Sequence, residues 1–243
     1  MHYLLLGFLA CGDDAKDTAT EPATEPATEP AGEPAGEPAG EPAGEPSPSD
    51  SIGVGELVIT EIMKNPCVCS EEGACPPDET ATGTCTLEDD FGEWFEVYNA
   101  TEGELNLNGL RVTDADEQPN IFTVSDDLVV PAGSYVVFGN NADSATNGGV
   151  TVDYAYSVDD FKLGNGDDEI ILSNGVGTID EVFYLDDGFP DVKGHALNLN
   201  SDTIDATSND DGANWCNATF GYGDGDFGSP GAANEACDVA MAE

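Results

Sequence analysis

The chain has 243 residues, with 50 acidic against 5 basic side chains and a formal charge of −45. That balance argues strongly against nucleic acid as a direct partner and against docking on anionic lipid through the protein surface, since both need Lys and Arg at the contact. Solubility is the plain consequence of such a charge; adaptation to a salty medium and a divalent-cation habit stay open beside it.

Tyr3 to Ala10 is an apolar run that ends at Cys11, followed at once by Gly12-Asp13-Asp14. It is too short to span a bilayer. Leu9-Ala10-Cys11 resembles the lipobox that ends a bacterial lipoprotein signal peptide, although Phe8 stands where Leu is usual and the basic n-region is missing. A start codon placed too far downstream accounts for the missing charge. On this reading residues 1–10 are the signal and Cys11 becomes the lipidated N-terminus, the chain's link to a membrane. An ordinary signal peptide with an incidental cysteine is the competing reading. The expected address is the bacterial cell envelope, as an outer-membrane lipoprotein facing the periplasm or the exterior.

Residues 11–52 read as a disordered linker, with Glu-Pro recurring every four residues from Glu21 to Glu45. Proline at this density blocks helices and sheet ladders and favours polyproline II, and the repelling glutamates extend the chain further. At about 3.1 Å per residue, some 40 residues reach on the order of 120 Å.

The folded domain is expected over residues 53–237, with 238–243 as a tail. Leu57 to Ile62 is a near-continuous apolar strand, stopped by Asn65-Pro66. Residues 67–91 are an insertion with four cysteines, two adjacent prolines and few apolar residues, so disulfides would have to hold it. The segment Glu93-Trp94-Phe95-Glu96-Val97-Tyr98-Asn99 alternates as a strand, with Phe95 and Val97 on one face and Trp94, Glu96 and Tyr98 on the other. Further strands are expected over Leu107 to Asp114, Ile121 to Val124, Leu128 to Gly133 and Ser134 to Gly139. Glu169 to Ser173 and Thr178 to Tyr184 form a hairpin with Asn174-Gly175 in its turn. Short strands at this spacing without helical periodicity predict an all-β sandwich. Phe95, Val97, Val136, Phe138, Ile171 and Val182 are the expected core.

Six cysteines besides Cys11 form an even set, which suggests disulfides and an oxidising compartment. Proximity in the chain pairs Cys216 with Cys237 and leaves Cys67, Cys69, Cys75 and Cys85 to pair among themselves. Zinc competes at the second group, but C-x-C-x5-C-x9-C lacks the C-x2-C knuckles of structural zinc sites.

Several segments, in order, carry a family resemblance. Leu57 to Pro66, Glu93 to Asn99, Leu105 to Leu110, Pro131 to Tyr135, Leu163 to Asp168 and Ser229-Pro230-Gly231-Ala232-Ala233-Asn234 resemble the lamin tail domain, an immunoglobulin-like sandwich. Thr60 stands where Asn is usual, Leu110 where Trp is common, and the four-cysteine insertion departs from the family core. The resemblance implies a fold and little chemistry. Animal members sit on nuclear lamins; bacterial members occur on secreted and surface proteins, often beside nuclease or phosphatase domains.

Candidate chemistry is sparse. Gly-x-Ser-x-Gly, a phosphate-cradling loop and His-Glu-x-x-His do not occur. His195 reads as an ordinary strand-edge residue, and alternation puts Glu93 and Glu96 on opposite faces. No cofactor is expected, except that calcium could suit oxygen-rich turns, with Asp224 and Asp226 the best candidates because glycines flank both. Glu71, Glu72, Asp78 and Glu79 are candidate binding residues on the stapled insertion, facing a cationic or calcium-bridged partner. The expected function is therefore a non-catalytic envelope module that binds protein or glycan. The alternative is an accessory subunit of a separately encoded secreted nuclease or phosphatase.

Overall fold

A computed structural model of the chain describes residues 47–67, 87, 89–115, 120–185 and 188–237. Cys11, the Glu-Pro repeat, Cys69, Cys75, Cys85, Glu71, Glu72, Asp78 and Glu79 lie outside the described residues.

The fold is all-β, an immunoglobulin-like sandwich. Its larger sheet is built on β1 (Leu57–Met63) and β2 (Trp94–Asn99), continued on one side by β7 (Tyr135–Gly139) and β8 (Tyr154–Ala155). On the other side lie β11 (Leu197–Leu199) and β12 (Trp215–Asn217), completing the order β12-β11-β1-β2-β7-β8. The smaller sheet has the order β10-β9-β4-β5, from β4 (Arg111–Thr113), β5 (Ile121–Thr123), β9 (Asp168–Ser173) and β10 (Thr178–Tyr184). Two short ribbons, β3 (Leu105–Asn106) with β6 (Val129–Val130) and β13 (Gly221–Tyr222) with β14 (Asp226–Phe227), complete the strands, and α1 (Asp89–Gly92) is a single turn. All pairings between these strands are antiparallel except β7 with β8. No helix among the described residues is long and apolar enough to cross a membrane.

The segment expected as one strand from Leu107 to Asp114 is broken instead. β3 ends at Asn106, and Leu110 N–H donates to Leu107 O at 2.8 Å, turning the chain before β4. The hairpin of β9 and β10 forms as expected, but Asn174 shapes its turn through its side chain: Oδ1 accepts from Val176 N and Gly177 N at 2.8 and 3.0 Å.

The core lies between the two sheets. Phe95, Val97, Val136, Phe138 and Val182 are buried there, as the alternation implies. Ile171 is a correction: it is half-buried on the outer face, and its neighbours Ile170 and Leu172 point inward. Ile171 lies opposite Thr113 and Glu181, whereas Leu172 lies opposite Val112. An uninterrupted Ile-Ile-Leu run has no parity of its own, so the partners decide which face it shows.

The start of the domain is a second correction. Residues 47–52, assigned above to the linker, belong to the fold. Pro48–Ser51 form a 3-10 helix, Ser49 and Ile52 are buried, and Asn174 Nδ2 donates to Ser49 O and Ile52 O at 2.8 and 2.9 Å. The N–H groups of Gly175 and Ser47 hold the Asp50 carboxyl below its ordinary range.

The outer faces of the sheets differ. On the larger sheet Met63, Trp94, Val137, Val150, Ala196 and Ala218 make a second buried cluster, packed by Val152, Tyr222 and Phe227. The β13–β14 turn closes this cover by close backbone approach. Gly223 has φ +50°, and a Cβ there would sit 1.9 Å from Gly148 O, so only glycine fits. The outer face of the smaller sheet presents Arg111, Thr123, Glu181 and Phe183 exposed to solvent.

Candidate functional site

Two arrangements stand out. The first is a set of buried carboxyls on β1, β2 and β10. A bulge in β1 creates it: Ile59 pairs with Val97, yet Glu61 pairs with Glu96, so Thr60 is the extra residue. The bulge sets Glu61 and Glu96 side by side on the outer face of the larger sheet, both fully buried. Thr60 Oγ1 donates to Glu96 Oε1 at 2.7 Å.

The C-terminal motif Ser229-Pro230-Gly231-Ala232-Ala233-Asn234 lies over this pair as a strap. Ser229 N donates to Glu61 Oε1 and Oε2 at 3.0 and 3.1 Å, and Gly231 N donates to Glu96 Oε2 at 2.8 Å. Asn234 Nδ2 donates to Thr60 O at 2.7 Å and Leu199 O at 2.8 Å, satisfying carbonyls that the bulge and the strand end leave free. Gly228, leading into the strap, is where a Cβ would press Glu61 Oε1 at 3.0 Å and the Trp94 ring at 3.1 Å. The Cys216–Cys237 disulfide, with Cα atoms 5.7 Å apart, fastens the strap to β12 as the spacing implied. Closing a loop of this size removes unfolded-chain entropy worth about 3 kcal/mol.

Burial pushes the Glu96 carboxyl up to about 8, opposed by the hydrogen bonds from Thr60 and Gly231. Burial, and then repulsion from Glu96, raise Glu61 well above the ordinary range. The Glu96 charge opposes ionisation of Glu61 in addition to its burial. Burial also pushes Asp180 on β10 up to about 7. Its Oδ2 accepts from Ile59 N at 2.7 Å and Asn209 Nδ2 at 2.8 Å, tying the small sheet to β1.

The residues expected to carry chemistry or ligands are placed as follows. Glu93 is buried, and its Oε2 accepts from Leu163 N at 3.3 Å. His195 Nδ1 lies 2.7 Å from Ala218 O, and its ring stacks on Phe227 with centroids 4.3 Å apart. Asp224 is exposed in the β13–β14 turn, whereas Asp226 is buried with Cys67 N donating to its Oδ1 and Oδ2 at 3.2 and 2.9 Å. That pair is split between solvent and interior. Among the described residues no group of three or more His, Cys, Asp or Glu side chains is placed to hold a metal ion. Cys67 is disulfide-bonded.

The second arrangement was not foreseen. A groove of about 470 Å³ runs beside the C-terminal end of β10, lined by Phe183, Leu185, Phe189, Asp210, Asp211 and Ala213 among others. Phe183, on β10, is 41% exposed, and Leu185, just past the strand's end, is 46% exposed. The opposite wall is the short 3-10 turn Gly212–Asn214, capped by Asp211, whose side chain accepts from Ala213 N at 3.0 Å. The alternation at Phe183 and Leu185 is visible in the sequence. Their pairing with residues 210–213 is not, because it depends on how two distant loops pack.

A family model described as the Lamin Tail Domain matches residues 51–186 of the chain. No curated protein matches it.

Proposed function

The chain belongs to the lamin tail domain family, a non-enzymatic immunoglobulin-like fold, and on that premise we propose that it is a binding module displayed on a lipid-anchored protein of the bacterial envelope. What carries the reading is how its ionisable groups are used. Glu61, Glu96, Asp180, Glu93 and Asp226 are all buried and accept hydrogen bonds from backbone or side-chain donors of the fold. Groups engaged this way hold strands together and offer no free acid or base to a substrate. The surface left for function is the exposed face and its loops, which suits recognition of protein or glycan.

The tether supports the same reading. An anchor at Cys11 followed by a long acidic, proline-rich segment would hold the domain well away from a membrane surface. Replacing Cys11 with Ser should move the protein from the membrane to the soluble fraction of expressing cells, as followed by immunoblot after ultracentrifugation. A Cys11→Ser protein that still sediments with membranes places the anchor elsewhere and defeats the envelope part of the proposal.

A further inference from the structure

We infer that the groove beside β10 binds an extended, cationic and apolar peptide segment of a partner protein. The inference rests on the binding-module reading and names the partner's chemistry. Phe183 on β10 and Leu185, two residues on and just past the strand's end, present two large apolar side chains to solvent beside an outer strand that pairs only with β9 among the described residues. An extended peptide has the same two-residue period, so its alternate side chains match that spacing.

Charge selects the sign of the partner. Asp210 and Asp211 line the apolar floor and are exposed, and Glu181 precedes Phe183 on the same strand face. Burial and the neighbouring Asp205 raise Asp210, so a cation placed beside it would relieve repulsion already present. A second copy of this chain brings a like charge of −45 to the contact, and the Glu-Pro segment brings glutamates. Both are repelled, whereas a segment alternating Val or Leu with Lys or Arg meets complementary charge.

The test is fluorescence anisotropy with the full chain and two labelled heptapeptides, one alternating Val with Lys and the other Val with Glu. The Val/Lys peptide should bind saturably and the Val/Glu peptide should not. The double variant Phe183→Ser, Leu185→Ser keeps the whole net charge and removes only the apolar floor, and it should weaken binding at least 10-fold. Asp210→Asn with Asp211→Asn keeps the turn's cap and should weaken binding several-fold, with the loss shrinking as salt is raised. Equal binding by wild type and the Phe183/Leu185 variant would mean a diffuse charge effect and overturns the inference. So does the absence of saturable Val/Lys binding, or a dimer by sedimentation that the Phe183/Leu185 variant abolishes. Failure of the wild-type chain to bind cell surfaces at all would strike the binding-module reading itself, whatever the peptides do.

Discussion

Replacing Phe95 with alanine should destabilise the domain by about 3–5 kcal/mol, the range for losing a large aromatic from a packed core. Phe95 is fully buried on β2, stacked on Phe138 with ring centroids 5.0 Å apart. Its ring also meets Tyr156 at 6.3 Å and Phe161 at 6.2 Å. Phe122, from the opposite sheet, contacts Phe138, Tyr156 and Phe161 in turn. Removing Phe95 therefore opens a cavity at the junction of both sheets, where neighbours from two layers would have to collapse together to fill it. Urea unfolding of the purified chain measures the effect. An unfolding free energy within about 0.5 kcal/mol of wild type, the scale of a surface change, would mean that Phe95 does not hold the sheets together.

The second large effect is a dependence on pH that runs against the usual behaviour of carboxylates. Glu61 and Glu96 are raised in the folded protein, so each binds its proton more tightly folded than unfolded. Their contribution to stability is fully present below the ordinary value of 4.5 and is lost as pH rises toward about 8, the folded value of Glu96. While one such group titrates, the slope approaches about 1.4 kcal/mol per pH unit. Stability should therefore fall between pH 5 and pH 8, roughly the interval between the two values. Relief of general charge repulsion in a chain of −45 acts in the same direction, so the variants decide the cause. Glutamine keeps an acceptor for the Gly231 and Ser229 amides and cannot ionise. Glu96→Gln with Glu61→Gln should make the thermal-melt profile shallower across that range, leaving the share due to Asp180, and melt higher than wild type at its alkaline end. Parallel profiles for the variant and wild type would show that the pair titrates without cost to the fold.

How much of this was legible beforehand differs from strand to strand. Phe95 and Val97 alternate with polar or aromatic neighbours, so their inward direction could be read directly. Cys216 and Cys237 are near enough in sequence to pair by proximity. Ile171 could not be placed, because Ile170-Ile171-Leu172 has no polar member to break the parity. The carboxyl pair was hidden for a related reason. Glu61 and Glu96 become neighbours only through the bulge at Thr60, and a register shift has no signature in the residues it displaces. The motif Ser229 to Asn234 was recognisable as a closing segment. Its role in sealing two acids emerges only once Glu61 and Glu96 are seen beneath it. Residues 47–52 looked like linker because Ser, Pro and Asp are turn formers, yet the same chemistry caps a 3-10 helix against Asn174.

The central claim is that this domain recognises a surface partner and does no chemistry of its own. Flow cytometry of the fluorescently labelled chain on intact cells of its source, titrated with unlabelled chain as competitor, tests that claim most directly. The account predicts saturable binding that the unlabelled chain competes away, with no hydrolysis of nucleic acid or phosphate esters by the same preparation. Binding that never saturates, or turnover of either substrate class by the purified chain, would contradict it.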